Sequence, residues 1–430
     1  MSGKEPGQDP DGPQIRLFGW VHPGVLIPAA LAAAAGFAQF AATASLADVA
    51  AAFGVTGADG SNPGLSDSTL GIGLAVIRLG SLAAMPLAAA ADHIGRRKLA
   101  LACIAGGLAL TALASLAGGF WWFIAVLALA RPLLSATNAV AAVISAEVTD
   151  SRNRSRAVAV VGATYGVGAG IIVLIRAAAG DRLGFRPLFA LALVPLGLLP
   201  LLARRLKETD LFEKLEHPAG TTRRRPVPPH LRSRLMVLAL LTAGAGLVSG
   251  PATTFVFYFS ETVRGMSPAP MAAAVLAAGP IGLLGLIVGR WGADRLGRRL
   301  SAALSMAVLA GAAVVTYNVP GAGVIGGYLL AIFAASAFTP ASGVMSAELF
   351  PTSFRSTAAG WLTAGGVIGA VLGLGLFGVL ADTLGSFGVA SILLALPVAL
   401  LTLLYLLLPE TVGLELDDPA PEFGAPPLQV

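Results

Sequence analysis

The sequence predicts an all-α membrane protein, with twelve transmembrane helices arranged in two pseudo-symmetric six-helix halves. Its composition is the first observation: 56% of the 430 residues are hydrophobic, 12% are charged, and the mean hydropathy is +0.80. A soluble domain carries about a quarter charged residues, so this composition is typical of a protein that resides in lipid. The other two observations are a series of long apolar stretches and a set of polar motifs that occurs twice.

Each apolar stretch approaches or exceeds the roughly 20 residues that a helix needs to cross about 30 Å of hydrocarbon. The stretches are long and continuously apolar, which favours helices over the alternating ten-residue strands of a membrane barrel. The predicted spans are residues 20–46, 69–91, 97–118, 121–146, 156–179, 186–203, 235–260, 271–290, 299–318, 321–345, 356–381 and 386–408.

The polar motifs between these spans recur in the same order at an offset of 201 or 202 residues. The recurring pairs are Asp-His-Ile-Gly-Arg-Arg at 92–97 with Asp-Arg-Leu-Gly-Arg-Arg at 294–299, Ser-Ala-Glu at 145–147 and 346–348, Asp181 with Asp382, and Glu-Thr at 208–209 and 410–411. Four coincidences at one offset indicate a duplicated unit of about two hundred residues, the pattern of a membrane protein with two equivalent halves.

This duplication predicts the organisation of the chain. We expect a cytoplasmic N-terminal tail (1–19), a first six-helix half (20–203), a cytoplasmic linker (204–234), a second six-helix half (235–408) and a disordered cytoplasmic tail (409–430). The linker is predicted to begin with a surface helix at 204–214 and to continue as a flexible segment around the basic and proline-rich residues 221–229.

The basic residues predict the orientation. With the N-terminus in the cytoplasm, 22 of the 28 Lys and Arg residues lie in cytoplasmic segments or at their helix ends, three in outer loops and three inside spans. This split follows the positive-inside rule, so the net charge of +5 needs no nucleic-acid partner. The high alanine content suggests a bacterial genome rich in GC, and hence a bacterial inner membrane.

Several chemical classes find no support. No Gly-x-x-x-x-Gly-Lys-[Ser/Thr] loop occurs, so the chain has no phosphate-binding loop of that kind with which to use ATP. The four histidines lie at helix ends or in loops, and the single Cys103 lies in an apolar span. We therefore expect no enzyme activity, no metal site, no cofactor and no disulfide.

The repeated motifs resemble those of the major facilitator superfamily. Asp-x-x-Gly-Arg-Arg follows spans two and eight, a glutamate stands seven residues before Arg154 and again before Arg355, and Pro-Glu-Thr at 409–411 follows the last span. This last ending is similar to that of the sugar-porter and metabolite–proton symporter branches. The resemblance implies a transporter that moves a small solute by alternating access.

The motif residues form a candidate cytoplasmic gate. Gly95 permits a tight turn, and acids and guanidinium groups clustered between neighbouring helices could latch this face shut and release it when the halves rock. The resemblance implies the same role; the alternative is that these charges only enforce topology. The candidate residues are Asp92, Gly95, Arg96, Arg97, Glu147, Arg154, Asp294, Gly297, Arg298, Arg299, Glu348 and Arg355.

Three arginines inside spans are the candidate substrate or coupling residues. Arg78 and Arg131 are predicted at similar depth, and no acid occurs in the middle of any span. An intramembrane arginine usually faces a cavity or a partner, so these two predict an electropositive cavity for an anion such as a carboxylate or phosphate ester. The alternative is that backbone carbonyls and polar side chains such as Gln39 or Asn138 satisfy them. Arg176 lies nearer the outer surface, where it could instead snorkel.

Further expectations concern coupling and packing. In sugar–proton relatives span one supplies an aspartate opposite the span-four arginine, but here that place falls at Ala38-Gln39. Tyr258 is a further candidate for the cavity. Glycines four residues apart at 162–170 and 365–373 suit either a sliding seam between the halves or static helix packing.

We therefore expect a secondary transporter, a monomer that carries an organic anion or related metabolite by proton-coupled symport. The alternatives are a proton antiporter that exports a drug or metabolite, and a membrane sensor that kept the fold without transporting.

Overall fold

The computed structural model describes residues 19–54, 64–150, 153–180, 183–209 and 229–412. Within these ranges the chain is helical without strands, and twelve helices are long and apolar enough to cross a membrane. They are α1 Pro23–Ala44, α2 Asp67–Ile94, α3 Arg96–Leu116, α4 Phe120–Glu147, α5 Arg154–Ala179, α6 Phe185–Arg205, α7 Leu231–Val263, α8 Pro268–Arg295, α9 Arg298–Asn318, α10 Ala322–Glu348, α11 Thr357–Leu384 and α12 Phe387–Leu407. The predicted fold class is confirmed, and each predicted span matches one helix to within a few residues.

The residues at the helix ends explain several boundaries. Proline occupies the first position of α1 and of α8, where its missing N–H costs no helical hydrogen bond. The turns from α2 to α3 and from α8 to α9 pass through Gly95 and Gly297, at φ 104° and 99°. Side chains with a Cβ rarely adopt this conformation, so the predicted need for glycine in the repeated motif is confirmed.

Some predicted segments lie outside the described residues. The helix α6 ends at Arg205 and residues 206–209 are not helical, so the first part of the expected surface helix is absent. The rest of that helix and the flexible part of the linker fall within 210–228. The tails likewise fall largely within 1–18 and 413–430, and neither stretch is described.

Glycines hold helices together within each half. In α5, a Cβ on Gly168 would overlap the carbonyl of Ala33 in α1. In α11, a Cβ on Gly369 would overlap the carbonyl of Ala243 in α7. The stripe in α11 therefore serves static packing inside the second half, and its interpretation as a sliding seam is wrong. In α5, by contrast, a Cβ added to Gly162 or Gly166 would meet no atom within 4 Å.

The two halves contact each other along α2 and α11, from Gly71 and Gly378 as far as Met85 and Gly360. We call the face with the Gly95 and Gly297 turns the motif face, and the other the opposite face. Near the opposite face α2 packs on α11, where a Cβ on Gly71 would lie 3.0 Å from the Cα of Gly378. Phe40 of α1 there packs edge-on against Phe257 of α7, with ring centroids 5.6 Å apart. The halves are thus in close contact on the opposite face.

Candidate functional site

The first candidate site lies where α2 approaches α4 inside the first half. Proline at 132 supplies no N–H, so the Ala128 carbonyl loses its helical donor. Gly80 of α2 lies over that carbonyl, and a Cβ on Gly80 would be 2.5 Å from its oxygen. This close approach places Arg78, two residues before the glycine, and Arg131, one residue before the proline, side by side.

The two guanidinium groups share one electropositive environment. Arg78 is near enough to Arg131 for the two charges to repel, and Tyr165 in α5 is near enough to interact electrostatically with both. Arg131 Nε donates to Ser81 Oγ at 3.2 Å. The Nε of Arg78 is buried without a hydrogen-bond partner, and neither arginine forms an ion pair with a carboxylate of the described ranges. A partly buried charge inside a membrane-spanning helix is costly unless an opposite charge compensates it.

The other predicted cavity residues are divided between two places. Gln39 Oε1 accepts a hydrogen bond from the Tyr165 hydroxyl at 3.4 Å, so Gln39 joins the arginine pair through that tyrosine. Asn138 lies about two turns from Arg131 toward the motif face, and its Oδ1 is buried without a partner among the described residues. Tyr258 is at the opposite-face end of α7, where its phenol interacts with the nearby Asp67 side chain.

The place of Tyr258 separates it from the arginine pair. Its partner Asp67 begins α2, and eleven residues of helix separate Asp67 from Arg78, which is about 16 Å along the axis. The structure therefore groups Arg78, Arg131, Gln39 and Tyr165, and leaves Tyr258 at the seam between the halves.

Arg176 also lies at that seam, and it is not a snorkelling side chain. Only 5% of the residue is exposed. Its Nε and Nη2 donate to the Asp48 carboxylate at 2.8 and 3.0 Å, and its Nη1 and Nη2 donate to the Glu261 carboxylate at 2.6 Å each. Asp48 is in the short helix that follows α1, and Glu261 is near the end of α7. A search for acids at mid-span misses both, because they lie at helix ends.

A further bond crosses the seam nearby. Ser68 Oγ of α2 donates to Asp382 Oδ2 of α11 at 2.5 Å. Together with the Arg176–Glu261 pair, it joins the first half to the second on the opposite face.

The second candidate site is the pair of charge clusters on the motif face. Arg96 forms ion pairs with Glu147 at 2.8 Å and with Asp92 at 3.3 Å. The second copy repeats the arrangement, since Arg298 pairs with Asp294 at 2.8 Å and with Glu348 at 3.5 Å. The first cluster joins α2, α3 and α4 in the first half, and the second joins α8, α9 and α10 in the second half. These ion pairs therefore do not cross between the halves.

The repeated glutamates after α6 and α12 bind the start of a neighbouring helix. The Glu208 carboxylate accepts the backbone N–H of Arg97 at 3.0 and 3.2 Å, and the Arg97 side chain donates to the carbonyls of Leu206 and Ala203 at 2.6 and 2.9 Å. An anion at a helix start and a cation at a helix end both complement the helix dipole. These contacts tie α3 to α6.

The second half repeats this exchange between α9 and α12. Glu410 accepts the backbone N–H groups of Arg298 and Arg299 at 2.8 and 3.4 Å, and Arg299 Nη1 donates to the Leu406 and Leu408 carbonyls at 3.4 and 3.3 Å. The sequence shows only that the Glu-Thr pair is repeated. The structure shows what the glutamate does, which is to accept backbone N–H groups at the start of a neighbouring helix.

Two further arginines complete the repeated arrangement. Arg154 Nε donates to the Ala146 carbonyl at 3.1 Å, and Arg355 Nε donates to the Ala347 carbonyl at 2.9 Å. Arg154 begins α5, and Arg355 lies in the first turn of the helix Thr352–Leu384 that contains α11. Each therefore connects the start of a helix to the end of the preceding one. All the candidate gate residues thus lie at the motif face, in two matching clusters.

Comparison with known proteins agrees with this architecture. The Major Facilitator Superfamily family model matches residues 26–332 and 273–429. No curated protein matches the chain significantly. Among solved structures, the inward-open xylose transporter XylE from E. coli superposes with a TM-score of 0.71 and 17% identity, covering 92% of this chain and 98% of that one.

Two other solved structures show the same fold. The nucleoside transporter NupG, solved as a point mutant, has a TM-score of 0.70 and 12% identity, covering 89% of this chain and 99% of that one. An inward-facing, occupied bacterial homologue of the human lysosomal transporter Spinster has a TM-score of 0.69 and 15% identity, covering 89% and 96%. At these identities the likeness concerns the fold.

Proposed function

Because the chain belongs to the Major Facilitator Superfamily, we propose that it is a proton-coupled symporter of a small organic anion. Membership makes it a multi-pass membrane transporter that works by alternating access, and not an enzyme. The solute, the coupling ion and the direction are the proposed part.

The observation that supports an anion is the uncompensated pair Arg78 and Arg131. The two guanidinium groups are partly buried and repel each other, and among the described residues the polar groups near them include the Ser81 and Tyr165 hydroxyl groups but no carboxylate in an ion pair. A carboxylate or phosphate ester would supply the missing charge, and guanidinium binds both groups through paired, charge-assisted hydrogen bonds. We therefore place the anion between α2 and α4, within reach of Tyr165 and Gln39.

We propose proton coupling because of the negative charge of the solute. We propose that the motif face is cytoplasmic, because the excess of Lys and Arg flanks it. Importing one negative charge against an inside-negative potential costs about 2.3 kcal/mol per 100 mV. A proton that enters with each anion cancels that cost. We further propose a monomer in a bacterial inner membrane.

We propose that the motif-face clusters latch that face when the halves rock. In this structure the Asp92 and Asp294 side chains remain 68% and 56% exposed, although each is paired with an arginine of its own half. Each carboxylate can therefore accept a second partner from the other half when the motif face closes. Replacing both by asparagine should slow transport and preserve solute binding, because the binding site is remote. An unchanged transport rate would contradict the latch.

Uptake into proteoliposomes tests the transported solute. We would measure lactate, succinate, benzoate and glycerol 3-phosphate beside xylose and ethidium, with and without a pH gradient. The proposal predicts uptake of at least one anion, stimulated by an acidic exterior. Stimulation only by an acidic interior would instead indicate exchange of the solute for protons, as in an antiporter, and transport of xylose or ethidium alone would exclude the anion proposal.

A further inference from the structure

Three charged side chains meet where the halves touch on the opposite face. Arg176 and Asp48 belong to the first half, and Glu261 belongs to the second. The exposed fractions of the Arg176 and Glu261 side chains are 6% and 12%, while Asp48 is 28% exposed. The Arg176–Glu261 contact, at 2.6 Å, is thus a largely buried ion pair between two bodies that must separate during alternating access.

The same chemical arrangement occurs on the motif face with a different distribution between the halves. There each central arginine, Arg96 or Arg298, has both of its acids in its own half. At the opposite face one acid of Arg176 comes from each half. When the halves rock apart on this face, the contact with Glu261 must break, whereas the contact with Asp48 can persist.

We infer that Arg176, Asp48 and Glu261 form the gate of the opposite face, with Asp48 as the permanent partner of Arg176 and Glu261 as the departing one. The gate needs both acids. Glu261 favours the closed state, and Asp48 compensates the guanidinium charge in the open state, where an unpaired arginine near the membrane would be costly. This inference depends on alternating access and not on which solute is carried.

Two isosteric substitutions should have opposite effects on how often the opposite face opens. Glu261→Gln removes the charge attraction between the halves and leaves the Arg176–Asp48 pair intact, so the opposite face opens more often. Asp48→Asn leaves the Arg176–Glu261 pair in the closed state but strands Arg176 in the open state, so the face opens less often. A merely structural role for the three residues would make both substitutions loosen the seam.

Accessibility of a seam residue measures this opening. Ala75 is 9% exposed, and its Cβ lies 3.8 Å from the position that a Cβ on Gly375, in the other half, would occupy. In a Cys103→Ala background, Ala75→Cys would be labelled in intact cells with a membrane-impermeant maleimide, and the labelling rate would report the open fraction. A separate Leu116→Cys, at a 72% exposed site on the opposite face, verifies that this face is external.

We expect Glu261→Gln to raise the Ala75→Cys labelling rate roughly tenfold or more, since breaking a buried ion pair is strongly destabilising. Asp48→Asn should lower the Ala75→Cys labelling rate below that of the protein in which all three gate residues are unchanged. Glu261→Asp, which keeps the charge, should label more slowly than Glu261→Gln. The control is Arg264→Gln: Arg264 packs on Phe259 and reaches the Tyr317 carbonyl, both in its own half, so the rate should not change.

Two results would overturn the gate. One is a Glu261→Gln labelling rate equal to that of the Arg264→Gln control. The other is an increase with both Glu261→Gln and Asp48→Asn. If Asp48→Asn fails to yield monodisperse protein, the comparison of the Glu261 variants with the control still decides.

Discussion

Substituting Gly369 by alanine tests how closely α7 and α11 pack. The added Cβ would overlap the Ala243 carbonyl oxygen and would lie 2.6 Å from the carbonyl carbon and 2.7 Å from the Cα. These are backbone atoms, so no flexible side chain can move aside, and the helices must shift apart. Overpacking of this kind costs about 1–3 kcal/mol. For a half of about 200 residues, that corresponds to a fall in melting temperature of roughly 2–12 °C.

Gly166→Ala is the matched control for this substitution. Gly166 is also in the middle of a spanning helix, but a Cβ added there would meet no atom within 4 Å. Alanine there replaces a residue that disfavours helices by about 0.5–1 kcal/mol, so stability should be unchanged or slightly higher. The assay is the apparent melting temperature of the detergent-solubilised protein by fluorescence-detected size exclusion. Equal melting temperatures for the two variants would refute the close packing of α7 on α11.

Two further predictions concern the repeated glutamate and the arginine pair. Glu410→Gln weakens the cap on the first N–H groups of α9 and should destabilise the protein by about 0.5–2 kcal/mol, measured as a lower melting temperature; no change would mean that the Glu410 contact contributes little. Gly80→Ala places a Cβ 2.5 Å from the Ala128 oxygen, which should push α2 from α4 and reduce anion uptake without altering either arginine. The control is folded Gly106→Ala protein, in which the added Cβ would meet only the Leu133 side chain. If Gly80→Ala protein takes up the anion at the wild-type rate, the close approach of α2 to α4 does not shape the site.

The fold could be predicted from the sequence because lipid imposes a simple rule. Every backbone polar group in the hydrocarbon must be satisfied internally, so long apolar stretches become helices of membrane length. The repeated motifs were also informative, since Gly95 and Gly297 adopt the positive φ that the turns require.

The contacts between distant helices could not be predicted in the same way. Periodic glycines at 365–373 indicate a close approach but not the partner, and the partner is α7 rather than the other half. Arg176 lies more than a hundred residues from Asp48 in the sequence, and only the fold shows that Asp48 and Glu261 compensate it. For Arg78 and Arg131 the sequence predicted similar depth, and the structure adds the proline and glycine that bring α2 against α4.

Arg78 and Arg131 are proposed to bind the anionic solute. The most direct measurement is uptake of the transported anion by proteoliposomes containing Arg131→Ala and Arg131→Lys, with the melting temperature of each variant confirming its fold. Removal of the guanidinium should abolish most uptake, and lysine should restore only part of it, because an ammonium group keeps the charge but cannot form the same paired hydrogen bonds. Anion uptake at the wild-type rate by folded Arg131→Ala protein would contradict the claim.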